Sequence, residues 1–391
     1  MTILAGPPDG PLSTGGTVLP GVAPGPEDHP RRVAFDRQRV IELSASGVSA
    51  AALVWTPFHL LGLNAPFGFF VCWFTAYATI YGIVVRQRYG PIEFKDALAT
   101  FMITAGLLVA LLPLILLTTY VIGKGFATFK AGLPGFPLLT KDFAHFSTTS
   151  KITDGGFKAA LIGSMEQVGV ATIPAVVIGV LAATYINEIG GRFAGAVRMT
   201  ADAMTGLPSI IAGLFVYSFW VLPRAPHGFS GLAASMALFV VMLPVVVRTA
   251  EEVLRLVAGS LREAALALGA PEWRMVLQVV IPTARTGLVT AALLGVARAF
   301  GETAPVILTA FGSPRTQWNL AAGPQDDLPF RIYTLVRSPG AQNVQIAWGG
   351  ALLLMVVILT LFTLARVLGT GRPGVRRGGA LLARLRRPTK A

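Results

Sequence analysis

The stretch Glu251–Gly287 reads EEVLRLVAGSLREAALALGAPEWRMVLQVVIPTARTG and lies between two long apolar runs. Its punctuation is that of two short helices joined by a tight turn. Ser260 followed by Glu263 fits an S-x-x-E capping box, in which two side chains satisfy backbone donors that a helix start leaves orphaned. Gly269 suits the left-handed backbone that ends such a helix. Pro271 suits the first turn of a second helix, where a missing donor costs nothing. Pro282 is expected to end that helix before the next apolar run. Leu261, Ala264, Ala265 and Leu268 share one face at helical spacing, and their small members leave room for another protein to approach. The plainer alternative is a helix lying on a membrane, with Arg255, Arg262 and Arg274 at the head groups. Alanines make a poor anchor for that role, and the turn is more specific than it needs.

Outward from this loop, the chain is apolar. Of 391 residues, 53% are hydrophobic and 13% charged, and mean hydropathy is +0.66. Soluble domains are roughly a quarter charged, so a soluble globular class is excluded. The apolar residues come in runs of about 20, long enough to cross a bilayer as helices. Eight spans are expected, near 41–62, 65–85, 98–122, 158–186, 204–222, 229–249, 287–312 and 345–368. The first is the weakest, because Glu42 and His59 bracket it. With a cytoplasmic N-terminus, the inner segments hold 22 Lys and Arg residues and the outer ones 9. That excess puts both termini in the cytoplasm and places the quoted loop there too. It also gives the net charge of +13 a topological meaning, with no call for nucleic acid.

Smaller features follow. Residues 1–35 begin with a Gly- and Pro-rich stretch that cannot bury a core and reads as a disordered tail rather than a signal peptide. The C-terminal segment 369–391 is basic and suits the anionic inner leaflet. Cys72, the single cysteine, sits in an apolar run and reads as a packed membrane residue. The outer loop 123–157 carries Phe126, Phe129, Phe136, Phe143 and Phe146. These fit either an interfacial aromatic belt or a docking surface for an external partner. Glu166 and Gln167, inside the fourth span, fit either a pathway lining or a contact with a partner subunit.

A further stretch, Val296–Ala310 (VARAFGETAPVILTA), places Arg298 and Glu302 one helical turn apart inside an apolar span. A lone charge at a bilayer centre costs at least about 2.5–3.5 kcal/mol on insertion scales, so the pair needs protein or water around it. Pro305 is expected to kink this span by crowding the carbonyl of Gly301. Either the pair locks the helix to another subunit, or it lines a pathway. In the second case Arg298 offers a planar fork to an oxyanion, Glu302 limits its grip or accepts a hydrogen bond from the protonated anion, and Thr303 adds a hydroxyl.

These residues also carry a resemblance. Glu263, Ala264, Ala265, Gly269, Val279, Ile281 and Pro282 match the spacing of the EAA loop of ABC importer permeases, with Val279 and Ile281 as apolar swaps. In that family the loop docks on a cytoplasmic ATPase. The segments DGGF (Asp154–Phe157), AATYINE (Ala182–Glu188), MTGLPSIIAGLFVY (Met204–Tyr217), LPVVVRTAEEVL and ARAFGETAP together resemble the PstA-type permease subunits of phosphate-specific ABC importers, from about Leu98 to Arg366. The resemblance implies an all-α integral membrane protein, with a six-helix type-1 permease body preceded by two extra helices at 36–97. The first core helix and outer loop then occupy 98–157, and the permease core 158–368, with the coupling loop at 251–286. It implies a multi-pass protein of the cell (plasma or inner) membrane, and ATPase coupling through Glu263, Ala264, Ala265, Gly269 and Pro282. Arg298, Glu302, Thr303 and Ser209 would lie on the substrate pathway. The implied partners are two ATPase subunits, a second permease of the PstC type, an external phosphate-binding protein and lipids.

The sequence has no G-x-x-x-x-G-K-[ST] segment able to cradle nucleotide phosphates, so ATP would be used by the separate subunit and no cofactor is expected on this chain. A sulfate or molybdate permease would share the same loop. A membrane enzyme acting on phosphorylated lipids is disfavoured, since the four histidines are scattered and no His, Asp or Cys cluster has ligand spacing.

Overall fold

The computed structural model describes residues 37–62, 65–131, 137–146 and 150–369. The tail readings for 1–35 and 370–391, and Phe136, lie outside these. Among the described residues the chain is mainly helical, with no strand beyond two isolated bridges. The helices are α1 (Arg37–Leu60), α2 (Pro66–Tyr89), α3 (Pro91–Ala131), α4 (Pro137–Thr140), α5 (Lys158–Thr184), α6 (Ala194–Thr205), α7 (Ser209–Val216) and α8 (Gly231–Arg255). They continue with α9 (Gly259–Ala267), α10 (Glu272–Met275), α11 (Ile281–Phe300), α12 (Ala304–Thr309), α13 (Leu328–Arg337) and α14 (Ala341–Gly369). Seven helical stretches are long and apolar enough to cross a membrane, and a bent pair, α6 with α7 and its extension to Arg224, makes an eighth.

Two of the expected spans are therefore not single rods. The span expected at 204–222 is broken at Gly206–Pro208, with a bend of 102°. Pro208 takes an extended ψ of 133° and cannot continue the α6 ladder. The span expected at 287–312 ends at Phe300, and α12 starts afresh at Ala304. Pro305 then sits in the first turn of α12, where its missing donor is harmless, rather than kinking a continuous helix.

By contact the chain forms two units, divided between Pro113 and Leu114. In the first, α1 and α2 pair. Glu42, 7% exposed, receives Arg88 at 2.7 Å and the Tyr89 hydroxyl at 3.1 Å. This explains how a span bracketed by charge holds together: the carboxylate is neutralised across the pair. Phe74, Tyr77 and Tyr81 gather around Phe101 at ring distances of 4.9–6.0 Å.

The second unit is built on α5 and α8, with α11 and α12 completing its centre. Val168, Ala171 and Ala175 meet Leu238, Met242 and Val246, then Ala299, Phe300 and Val306. Lipid tails are as apolar as leucine, so close van der Waals packing has to hold these helices together. Glycines make the approach possible. A Cβ on Gly179 would lie 2.7 Å from Val246 Cγ1, and one on Gly295 would lie 2.7 Å from Val246 Cγ2. Val246 is thus gripped from two helices at once. A second cluster joins Leu138, Phe143, Phe157, Leu328 and Ile346, with Phe129 and Phe146 against it. Phe143 is therefore core, and Phe129 and Phe146 are half-buried against it, while of the described members of that set Phe126 is exposed.

The loop from α12 to α13 is seated on the N-terminal half of α5 by polar contacts. Gln167, fully buried, donates to Gln325 Oε1 at 3.0 Å and to the Asp326 carbonyl at 3.2 Å. Gln325 donates to Glu166 at 2.5 Å, and Leu328 N–H donates to Ser164 at 2.8 Å. Glu166 and Gln167 are thus hydrogen-bonded within their own chain. Gly163 allows the close seat, since a Cβ there would fall 1.9 Å from the Asp326 carbonyl. Asp326 pairs with Arg331 at 2.7 Å, yet burial outweighs that pair and pushes its carboxyl up to about 6. Burial also holds Asp327 well above the usual carboxylate range.

Two expectations follow. Gly295→Ala forces a methyl onto Val246 and should destabilise by about 1–3 kcal/mol, visible as a lower melting temperature in detergent, and Val246→Ala should restore much of the loss. A Gly295→Ala protein melting like wild type would refute the grip. Because the Asp326 pKa is raised on folding, its contribution is fully present below about pH 3.8 and is lost as pH rises through about 6. Melting curves of wild type and Asp326→Asn should therefore converge or cross in favour of the variant between pH 4 and 7; parallel curves would contradict the burial account.

Candidate functional site

The two helix breaks meet. Gly213 of α7 packs on α12 so closely that a Cβ would fall 2.6 Å from Pro305 Cα. Beside them lies a cavity of about 160 Å3, lined by Met204, Thr205, Pro208 and Ser209 from the α6–α7 break, by Val241 and Pro244 of α8, and by Arg298. Ser209 and Arg298, expected together on the pathway, thus border one space. Arg298 Nη2 lies 3.4 Å from Glu302 Oε1, a long ion pair, and the Arg298 side chain stays 51% exposed. Glu302 is therefore close enough to lower the cost of the charge but leaves most guanidinium donors unclaimed. Thr303 is the cap residue of α12, and its hydroxyl makes no capping bond. After Phe300 the backbone closes by tight bonds from Gly301 to Arg298 and from Glu302 to Ala299, at 3.1 and 3.2 Å. This turn, not Pro305, frees the backbone there.

At the other end of α11 is the loop. Helix α9 starts at Gly259 with Ala258 as its cap residue. The expected capping box does not form, because the helix begins one residue early and Ser260 lies inside its first turn. The stop is as expected. Gly269 has φ +81°, its N–H bonds to the Leu266 carbonyl at 2.9 Å, and Ala270 N–H bonds to Ala265 at 3.2 Å. This is a Schellman closure. Pro271 sits just ahead of α10 as its cap residue. Pro282 does not end the helix: Glu272–Phe300 forms one apolar stretch of 29 residues. A π-turn at Val276–Val280 precedes it, and its wider winding relieves the proline clash with the preceding turn. The expected face divides. Ala265 packs into the core, whereas Leu261, Ala264 and Leu268, with Glu263, are exposed.

The structure adds residues not singled out from sequence. Arg262 was weighed there only as a head-group contact. Its Nε and Nη2 donate to both oxygens of Glu188, at 2.8 and 2.7 Å, and its remaining donors reach the carbonyls of Val257 and Leu254, at 2.5 and 2.9 Å. The Glu188 hydrogen bond holds the guanidinium further above its usual range. Glu251, 1% exposed, gathers Arg198 at 2.9 Å, Arg248 at 3.3 Å and Arg255, while Arg248 also reaches Asp202 at 3.1 Å. Asn187 donates to the Glu251 carbonyl at 3.0 Å. A signal for Glu251 was present: Val247, Ala250, Glu251 and Leu254 follow the spacing of a buried stripe, whereas neighbouring Glu252 falls on the exposed side. Nothing in the sequence pairs Arg262 with a residue 74 positions away.

Comparison with known proteins fits this architecture. A profile of the binding-protein-dependent transport system inner membrane component family matches residues 175–371. The phosphate transport system permease protein PstA 1 of Mycobacterium tuberculosis is 39% identical over 286 residues, 71% of this chain and 88% of that protein. The phosphate transport system permease protein PstA of Haemophilus influenzae is 42% identical over 233 residues, 59% of this chain and 82% of that protein. An inward-facing structure of the MetNI methionine ABC transporter aligns at a TM-score of 0.45 with 22% identity, covering 54% of this chain and 93% of that one. The chain belongs to the family of binding-protein-dependent transport system inner membrane components, a multi-pass membrane protein of the PstA permease type.

Proposed function

We propose that this chain is the permease subunit of an ATP-driven ABC importer that carries inorganic phosphate into the cytoplasm. The observation that carries the reading is its identity with PstA permeases across most of their length. The half-exposed Arg298 at the cavity beside both helix breaks supports a pathway for an anion. ATP is hydrolysed by a separate cytoplasmic ATPase, and the chain pairs with a second, PstC-type permease and receives phosphate from an external binding protein. Both termini lie in the cytoplasm, in accord with the distribution of Lys and Arg.

In this mechanism Arg298 presents its planar fork to a phosphate oxyanion. Glu302 competes for the fork when the cavity is empty, so the anion is never held too tightly to leave. It also accepts a hydrogen bond from a protonated phosphate oxygen, which fully ionised sulfate cannot offer. Ser209 and Thr303 supply neutral hydroxyls. Leu261, Glu263, Ala264 and Leu268 form the exposed face for the ATPase, with Ala265 buried behind it. From Glu272 to Arg298 the chain is one helical stretch of roughly 40 Å at 1.5 Å per residue. A push at the loop therefore reaches the cavity along a single rod.

In cells lacking other uptake routes, Arg298→Ala should lower phosphate uptake by about 10- to 100-fold, the loss expected for charge-assisted hydrogen bonds, while the complex still assembles. Wild-type uptake would instead leave Arg298 as an interface residue. Gly269→Val places a β-branched residue at a φ of +81° and should open the Schellman closure. ATPase co-purification or coupled transport is then lost; an intact, coupled complex would refute the docking assignment.

A further inference from the structure

The helix α9 is tied to more than the rod that follows it. We propose that the Arg262–Glu188 pair is a second drive link, which makes the ATPase-facing helix move as one body with the inner ends of α5 and α8. The proposal rests on the ABC permease reading above, but its geometry is independent of the substrate.

Glu188 lies in the π-turn Tyr185–Ile189 that extends α5, and its side chain is 2% exposed. Both its oxygens are taken by one guanidinium, which also caps two carbonyls at the C-terminal end of α8 and just beyond it, Leu254 and Val257. One side chain therefore stitches three segments by four bonds. A bidentate pair with a buried carboxylate cannot slide or rotate without stranding charge away from water. Arg262 thus resists separation of α9 from α5 far more than an apolar contact would. The neighbouring Glu251 cluster extends the same body. Asn187, next to Glu188, holds the Glu251 backbone, and Arg198 brings in α6, the helix that ends at the mid-span break. A displacement of α9 would then reach the cavity by two routes. One runs along α11 to Arg298; the other runs through Arg262 to α5, α8 and α6, whose break carries Ser209. Arg262 and Glu188 are positioning residues here, since neither borders the cavity.

The test uses the full chain, assembled with its partners in proteoliposomes, and Arg262→Lys, which keeps the charge but loses the fork. Spin labels at Ser260→Cys and Ile189→Cys, both exposed positions, are introduced with Cys72→Ala, the one native cysteine. With Arg262 present, the label distance should be single and the same with ADP as with ATP and vanadate. In Arg262→Lys it should broaden or become nucleotide-dependent, and ATP hydrolysed per phosphate accumulated should rise by about tenfold. An Arg262→Lys protein with the wild-type distance distribution and stoichiometry overturns the proposal. If Arg262→Lys does not assemble, the same label pair in the isolated chain decides: an unchanged distribution overturns the link, and a broadened one supports it. If the wild type accumulates no phosphate, the substrate reading fails, while the label distances still test the link.

Discussion

A carboxylate buried where water is scarce must be neutralised, and Glu251 shows how this chain does so. At the C-terminal end of α8, three guanidinium groups converge on a side chain that is 1% exposed. Removing one member of such a cluster strands the others and is costly. The arrangement is therefore better at holding elements in a fixed relation than at adding net stability. It joins α6 to α8, and through Asn187 and Glu188 it adjoins the clamp on Arg262. Helix α9, the broken helix and the two central spans are thus tied at one place.

The centre of the second unit answers a different demand. Packing among lipid-like side chains has little hydrophobic drive, so proximity replaces it. Gly179 and Gly295 let α5 and α11 close on Val246. Gly213 lets α7 close on Pro305. These tight seams leave the two helix breaks side by side, and irregular backbone at such depth is tolerable only against protein or a watery cavity. The α6–α7 element meets protein at Pro305, and its break borders the cavity that Arg298 also lines. Tightly paired ion clusters at the C-terminal end of α8 contrast with the loosely paired arginine at the cavity.

Much of this was legible without coordinates. The run lengths predicted eight crossings, and Gly269 announced the end of α9. Arg298 and Glu302 stood out because charge is rare in such spans. Other features were misread because a local rule met a competing one. Ser260 and Glu263 satisfy a capping pattern, but the helix starts at Gly259 and leaves the serine inside. Pro282 reads as a stop, but a π-turn absorbs it. Pro305 reads as a kink, but the chain has already turned at Gly301. Phe143 and Phe146 read as surface aromatics, but α13 and α14 bring a core to them.

Hydrophobic run length and the punctuation of the 251–287 loop depend on neighbours in sequence, and they alone determined a multi-spanning helical protein with a structured loop between two spans. Which charges would be paired depended on residues far apart. Arg262 meets Glu188 across 74 positions, and Gln167 meets Gln325 across 158. That Arg298 and Ser209 border one cavity depended on where the broken helix comes to rest. Those outcomes were decided by tertiary packing, because a buried charge is placed by the partners that surround it and not by the residues beside it in the chain.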